Sequence, residues 1–405
     1  MVVARADKVY RTALKLYIAF VAFVTVWLGV YNVHERSDWA MADWLINYSG
    51  GFVRRGFIGQ IALYAARMHV SPFFFMLLLQ LGLYAVVLYV VLSLTKNFEW
   101  DLSSLALVYS PATLGFAIND PSFAYRKEIL FFALLGVTLL VLRSRRWSDL
   151  GLATFLTISA TVCILSHEAL FAFFPYLFCA LLVGFRSVGR AVRVAAVPAI
   201  AVMVSFALVS RFPGNIGMSR TICASLGSSL TDPPSGFCGG AIAYLGHDAS
   251  YAHSQVLLLL QSRHDMLHFS LVAVLAFIPV VAMIIMLWRR EQHFAAAALV
   301  ACALVSIAAS VPLFIYGTDW TRWVYIHVFS LFLLLLFVVH ELPATRVVAL
   351  GERPRSTVMS VASASLLLLY VFGWNLSTYQ PRIPFGGLVH FVMHQHWRST
   401  SVSPS

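Results

Sequence analysis

Apolar residues arrive along this chain in unbroken runs of roughly 20, not at every second position and not as a narrow helical stripe. The runs lie at 14–32, 73–95, 102–118, 128–142, 150–166, 169–185, 194–210, 267–288, 294–316, 324–341 and 357–374. Backbone buried in hydrocarbon must pair its own polar groups, so runs of this length predict helices, about eleven of them crossing a bilayer. The strands of a membrane β-barrel would alternate in hydropathy, and these runs do not. The expected fold class is therefore an all-α, polytopic membrane bundle with a single transmembrane domain over 1–405. Its connecting segments include a first outer loop at 33–72, a large outer loop at 211–266 and an outer tail at 375–405.

Composition sharpens this reading. The chain has 405 residues, 60% hydrophobic and only 11% charged, whereas soluble domains carry about 25% charged residues. That excludes a water-soluble globule, and the same hydrophobicity excludes a disordered chain. The net charge of +11 would suggest a nucleic-acid partner in a soluble protein. Here the charges sort by loop. With the N-terminus inside, the flanks at 1–15, 96–101, 143–149, 186–193, 289–293 and 342–356 hold 16 of the 28 Lys and Arg and, with Glu341 at the edge of the last, seven acidic residues. They account for +9 of the +11, which is the positive-inside signature of an N-in, C-out chain. No nucleic-acid partner is expected. The first run is long and no small-residue cleavage site follows it, so it reads as an uncleaved anchor.

The outer loops carry the chemistry. The first reads HERSDWAMADWLINYSGGFVRRGF, with Asp38 and Asp43 ahead of a glycine turn that bears Arg54 and Arg55 between apolar neighbours. A short juxtamembrane helix, IGQIALYAARMH, follows before Pro72 opens the second run. The next outer loop, NDPSFAYRKE, supplies Asp120, Arg126, Lys127 and Glu128; a tight SHEA turn supplies His167 and Glu168; and GTDWTRW supplies Asp319 and Arg322. The large loop adds Arg220 and His247, with Cys223 and Cys238 expected to form a disulfide if the loop faces an oxidising compartment. Charges at the outer ends of spans are costly unless they meet water, a partner or a site, and one shared polar cavity is the simplest account of so many. Paired guanidiniums on a glycine turn suit phosphate, and a nearby carboxylate suits general-base work. Ordinary solvated loops with interhelical ion pairs, and Arg pairs resting on lipid headgroups, are the competing readings for any single residue.

Several motifs are missing. His167-Glu168 lacks the second His of a zinc helix, since position 171 is Phe171. There is no Walker A loop, no G-x-G-x-x-G and no G-x-S-x-G, so a nucleotide-driven pump or a lipase is unsupported. His390, His394 and His396 in the tail have spacing that could take a metal but form no recognisable ligand set.

The order of elements resembles the membrane glycosyltransferases of the C superfamily: many spans, then acidic residues in the first outer loop, here Asp38 and Asp43, then juxtamembrane helices. It is also similar to bacterial O-antigen polymerases, in the outer Arg clusters and the large loop at 211–266. SGGFVRRG together with NDPSFAYRKE looks like segments of uncharacterised bacterial membrane proteins found among surface-polysaccharide functions. The resemblance implies a bacterial inner-membrane enzyme with a periplasmic site, a polyprenyl-phosphate-linked sugar donor and a glycan or lipid-linked acceptor. Asp38 or Asp43 would be the base, and Arg54, Arg55, Arg126 and Lys127 would bind the donor phosphate. Glu128, Arg220, His247, Asp319 and Arg322 would lie on the acceptor side. Asp38 and Asp43 are five apart and make no D-x-D pair, which leaves the base unassigned and a divalent metal optional. A polymerase of lipid-linked repeat units is the near alternative. A transporter or flippase is the distant one, expected to place charges at the bilayer midplane.

Overall fold

The computed structural model describes residues 2–96, 100–120, 124–227, 236–341 and 360–376. These form helices and connecting turns, with no strand among the described residues. Eight helices are long and apolar enough to cross a membrane, and the chain is read as a multi-pass membrane protein. In chain order the helices are α1 (Val2–His34), α2 (Ala42–Leu45), α3 (Gly56–Arg67), α4 (Pro72–Leu94), α5 (Leu102–Val108), α6 (Phe116–Asn119), α7 (Glu128–Ser144), α8 (Asp149–Ser166), α9 (Pro175–Phe185), α10 (Val188–Ser210), α11 (Ile216–Ser225), α12 (Ala249–Gln261), α13 (Arg263–Arg289), α14 (His293–Tyr316), α15 (Trp320–His340) and α16 (Val361–Phe372). A 3₁₀ segment, Glu168–Phe173, leads into α9.

One helix is the axis. The central window of α15 is 89% buried, while the other spanning windows are 28–56% buried. It packs against α4, α7, α9, α13 and α14. Those helices cover it with Leu, Val and Phe, and α4, α13 and α14 leave apolar side chains exposed on their outer faces, as lipid-facing helices must. Where two helices approach closely the contact falls on glycine: a Cβ on Gly136 would meet the Val90 side chain at 2.9 Å, and one on Gly184 would meet Leu142 at 2.9 Å.

Three of the expected runs differ from single spans. The run at 102–118 breaks into α5, a turn over 109–115 and α6, all of its turn deeply buried apart from Tyr109. The physical cause is local: Pro111 has no N–H and biases Ser110 away from helical geometry. The freed carbonyls of Leu107, Val108 and Ser110 lie 2.9–3.1 Å from the Thr113 hydroxyl. Non-helical backbone at such depth is tolerated because protein, not lipid, surrounds it. The run at 128–142 forms α7, 17 residues long and almost wholly buried. In the last run only Val361–Phe372 is helical among the described residues. The tail with its histidines lies outside them.

The loops gather by end. At one end, Arg190 pairs with Asp149 at 2.7 Å, Arg143 donates to the Ser93 carbonyl, and Arg145 approaches Glu341 at 3.9 Å. At the other end, residues 35–55, 124–128, the SHEA turn and the described parts of 211–266 pack on one another. Trp44 Nε1 donates to the Tyr125 carbonyl at 2.6 Å, and Gln80 Nε2 to the Ala40 carbonyl at 3.2 Å. The Arg54 N–H donates to the Phe212 carbonyl at 2.9 Å and the Ala241 N–H to the Asp38 carbonyl at 2.9 Å. Cys223 on α11 and Cys238 are joined by a disulfide, with Cα atoms 6.0 Å apart, so the large loop is stapled where it covers the first.

Candidate functional site

The packed loops enclose a buried ion network. Asp43, on the short helix α2, has no exposed surface, and its carboxylate faces Arg55 at 3.7 Å, Arg126 at 3.7 Å and Lys127 at 3.9 Å. Those distances are ionic contacts outside hydrogen-bond range. Burial alone would push the Asp43 carboxyl up; the charges of Lys127, Arg126 and Arg55 outweigh it and hold the group well below the usual carboxylate range. Lys127, itself fully buried, is pushed down by desolvation to about 8, with Asp43 opposing the drop. Its Nζ donates to the Arg55 carbonyl at 3.0 Å.

Glu168 organises a second group. It accepts from Arg55 Nε at 2.9 Å and Nη2 at 2.7 Å, and from Arg54 Nη1 at 3.3 Å. Arg55 has φ +68° in the left-handed region, an unusual conformation for a residue with a Cβ, costing on the order of 1 kcal/mol. The forked ion pair with Glu168 holds it there. Burial opposes the charge on Arg55, but Glu168 and Asp43 raise its pKa above the ordinary guanidinium value; desolvation lowers that of Arg54. Gly59, one turn into α3, allows the chain to pass: a Cβ there would sit 1.9 Å from the Ile46 carbonyl oxygen.

The third group comes from the axis helix. Arg322, in the first turn of α15 and 2% exposed, lies 3.0 Å from Glu128 and 3.1 Å from Asp319. Arg126 is desolvated, and Arg322 is its strongest like-charge neighbour, so two buried guanidiniums lie close enough to repel. Arg126 also stacks over the Trp39 ring at 5.1 Å. His167 is buried 3.8 Å from Glu128, and desolvation drives it well below the ordinary imidazole value, so it is neutral. Across the three groups the cations Arg54, Arg55, Arg126, Lys127 and Arg322 face the carboxylates Asp43, Glu128, Glu168 and Asp319.

Asp38 borders this network. It is half-buried, and desolvation raises its carboxyl pKa against the opposing pull of Arg126. Tyr244, from the large loop, is half-buried within reach of the same charges: burial raises its phenol pKa first, and Asp319 adds to the rise. The ring centroids of Trp39 and Tyr244 are 6.0 Å apart. Arg220 and His247 are exposed; His247 stacks on Tyr251 at 3.9 Å, outside the ion network.

Asp43, Arg54, Arg55, Arg126, Lys127, Glu128, Asp319 and Arg322 are thus together, with Asp38 at the rim, while Arg220 and His247 stand apart. Glu168, His167 and Tyr244 join the site without any individual motif to announce them. The legible signal was positional, since Glu168 starts a span at the same end as the paired arginines. For a divalent ion the donor set is unsuited: Asp43, Glu128, Glu168 and Asp319 all lie within ion-pair reach of Arg, Lys or His side chains. Among the described residues no three His, Cys, Asp or Glu side chains group as metal ligands. No protein-family model matches the chain, and no curated protein or solved structure is similar to it.

Proposed function

We propose that the chain is a membrane glycosyltransferase that takes a sugar from a polyprenyl-phosphate or polyprenyl-diphosphate donor on the outer face of a bacterial inner membrane. The observation that carries this reading is the pair of buried guanidiniums, Arg126 and Arg322, within one ion network at the end of an apolar bundle. Two buried guanidiniums in one network repel each other, and a ligand anion bound beside them offsets that repulsion. Arg322 keeps Nη1 outside any hydrogen bond, as a group awaiting an acceptor would. The network lies at helix termini, which suits a lipid phosphate at the membrane surface better than a solute crossing the midplane.

Arg54 and Arg55 fork onto Glu168, whereas Arg322, paired through Nε with Glu128 and through Nη2 with Asp319, keeps Nη1 for the phosphate, with Arg126 and Lys127 adding positive charge. An apolar cavity of about 160 Å³, lined by Phe269, Phe314, Trp320, Thr321 and Val324 beside the start of α15, suits the first isoprene units of the donor. The acceptor hydroxyl oxygen attacks the anomeric carbon from the opposite side, forming the new C–O bond. The bond to the phosphate oxygen breaks, and the lipid phosphate leaves with its negative charge against the guanidiniums. Asp38 takes the hydroxyl proton. It suits this role better than Asp43, because a base matched to neutral pH needs a raised pKa, and Asp43 is clamped low by three cations. A single displacement of this kind inverts the anomeric centre.

The test is transfer of a radiolabelled sugar from lipid-linked donors in membranes carrying variant chains. Arg322→Gln and Asp38→Asn each lower transfer by about 10²-fold or more at unchanged protein level. Near-normal transfer in both variants removes the assignment. If the lipid fraction of the knockout instead carries complete single repeat units, the enzyme joins repeats and the acceptor is a second lipid-linked glycan.

A further inference from the structure

A row of rings leads away from the ion network. Arg126 lies over Trp39; Trp39 meets Tyr244 at 6.0 Å; Tyr244 meets His247 at 5.7 Å and Tyr251 at 6.3 Å; and His247 and Tyr251 stack at 3.9 Å with planes 16° apart. Exposure rises along the row, from half-buried Trp39 and Tyr244 to exposed His247 and Tyr251. Three different segments build it: the first outer loop, the large loop after the disulfide, and α12. The Ala241 N–H to Asp38 carbonyl bond and the close passage of Gly240 beside Asp38 hold the first two in register. The row therefore starts beside Asp38, the proposed base, and ends in solvent.

Its chemistry is selective. Rings with polar tips offer flat apolar faces and hydrogen-bonding edges. Their neighbours Asp38, Asp248 and Asp319 are acceptors of hydroxyl protons and repel anions, which disfavours a nucleotide or a polyanionic lipid along this path. A purely apolar partner would cover the phenol hydroxyls of Tyr244 and Tyr251 without offering them a hydrogen bond. A pyranose satisfies both demands, since its C–H face lies on an aromatic ring while its equatorial hydroxyls reach outward to carboxylates.

We infer that Trp39, Tyr244, His247 and Tyr251 form a sugar-stacking path that guides a neutral glycan acceptor to Asp38. The inference rests on the glycosyl-transfer reading and names its acceptor as an oligosaccharide bound by ring faces. Stacking of this kind reads ring faces, not one sugar identity, so simple probes suffice. The full chain in detergent is titrated with cellohexaose, maltohexaose and chitohexaose by ligand-observed NMR, and separately with decaprenyl phosphate. At least one hexasaccharide binds; Tyr244→Ala and Tyr251→Ala each weaken it by about tenfold, while Tyr244→Phe and Tyr251→Phe stay within about twofold because the ring is retained. Tyr251 is at the surface, so its variants keep the fold, and decaprenyl phosphate binding is unchanged in them. Binding of no hexasaccharide, or binding that survives loss of both rings, overturns the path. If decaprenyl phosphate still binds through Arg126 and Arg322 in that case, the transfer reading stands without it; if that binding is absent too, both fall.

Discussion

Two Arg–carboxylate pairs of almost the same geometry stand at opposite ends of this bundle. Arg190 donates to Asp149 at 3.1, 3.1 and 2.7 Å, and Arg55 donates to Glu168 at 3.0, 2.9 and 2.7 Å. The first has side chains 46% and 44% exposed, the second 16% and 16%. Water competes for the first pair, and such pairs contribute under about 1 kcal/mol. Around the second, further buried charges within 4 Å make each ion depend on the others, and removing one strands its partner without solvent. Distance alone would score the two pairs as equals. Surroundings make one a solvated surface contact and the other part of a site.

The largest expected effect comes from breaking the buried pair. Glu168→Ala leaves Arg54 and Arg55 without their main counter-charge and destabilises the chain by about 3–5 kcal/mol, read as a lowered unfolding transition in detergent. Combining it with Arg55→Gln recovers part of that loss, because the stranded cation is gone. An unfolding transition in Glu168→Ala equal to wild type removes the contrast between the ends.

A smaller effect follows from pH. Lys127 titrates near 8, so between pH 7 and 9 it loses its proton and the site loses one positive charge. Affinity for decaprenyl phosphate should fall over that window, and Lys127→Arg should hold it constant. Transfer should also fall on the acid side at a higher pH than an ordinary carboxylate would give, since Asp38 must be ionised to act and its pKa is raised. An alkaline limb that stays put in Lys127→Arg assigns that titration elsewhere. The smallest effect belongs to the exposed pair: Asp149→Ala changes stability by less than about 1 kcal/mol and leaves transfer at the wild-type rate.

Much of this contrast could be read before any coordinates. The crossing helices, the short helix after SGGFVRRGF and the two-ended sorting of charges all follow from local hydropathy, because each helix satisfies its own backbone wherever it lies. The glycine turn is legible for the same reason. The break at Pro111 was present in the residues, yet the uninterrupted apolar run concealed it: a buried turn and a buried helix demand the same hydrophobicity.

Pairing was a different matter. Nothing near Asp43 indicates that its cations come from positions 55, 126 and 127, or that Glu168 rather than a phosphate takes up Arg54 and Arg55. Arg220 and Arg322 look alike in sequence, yet one is exposed on α11 and the other is 2% exposed in the first turn of the axis helix. The sequence by itself determined the membrane-spanning character, since it depends on runs of neighbouring residues. Tertiary structure alone decided which charges are buried together, which carboxylate is clamped and which stands at the rim. Those outcomes depend on contacts between segments tens to hundreds of residues apart and on the exclusion of water between them.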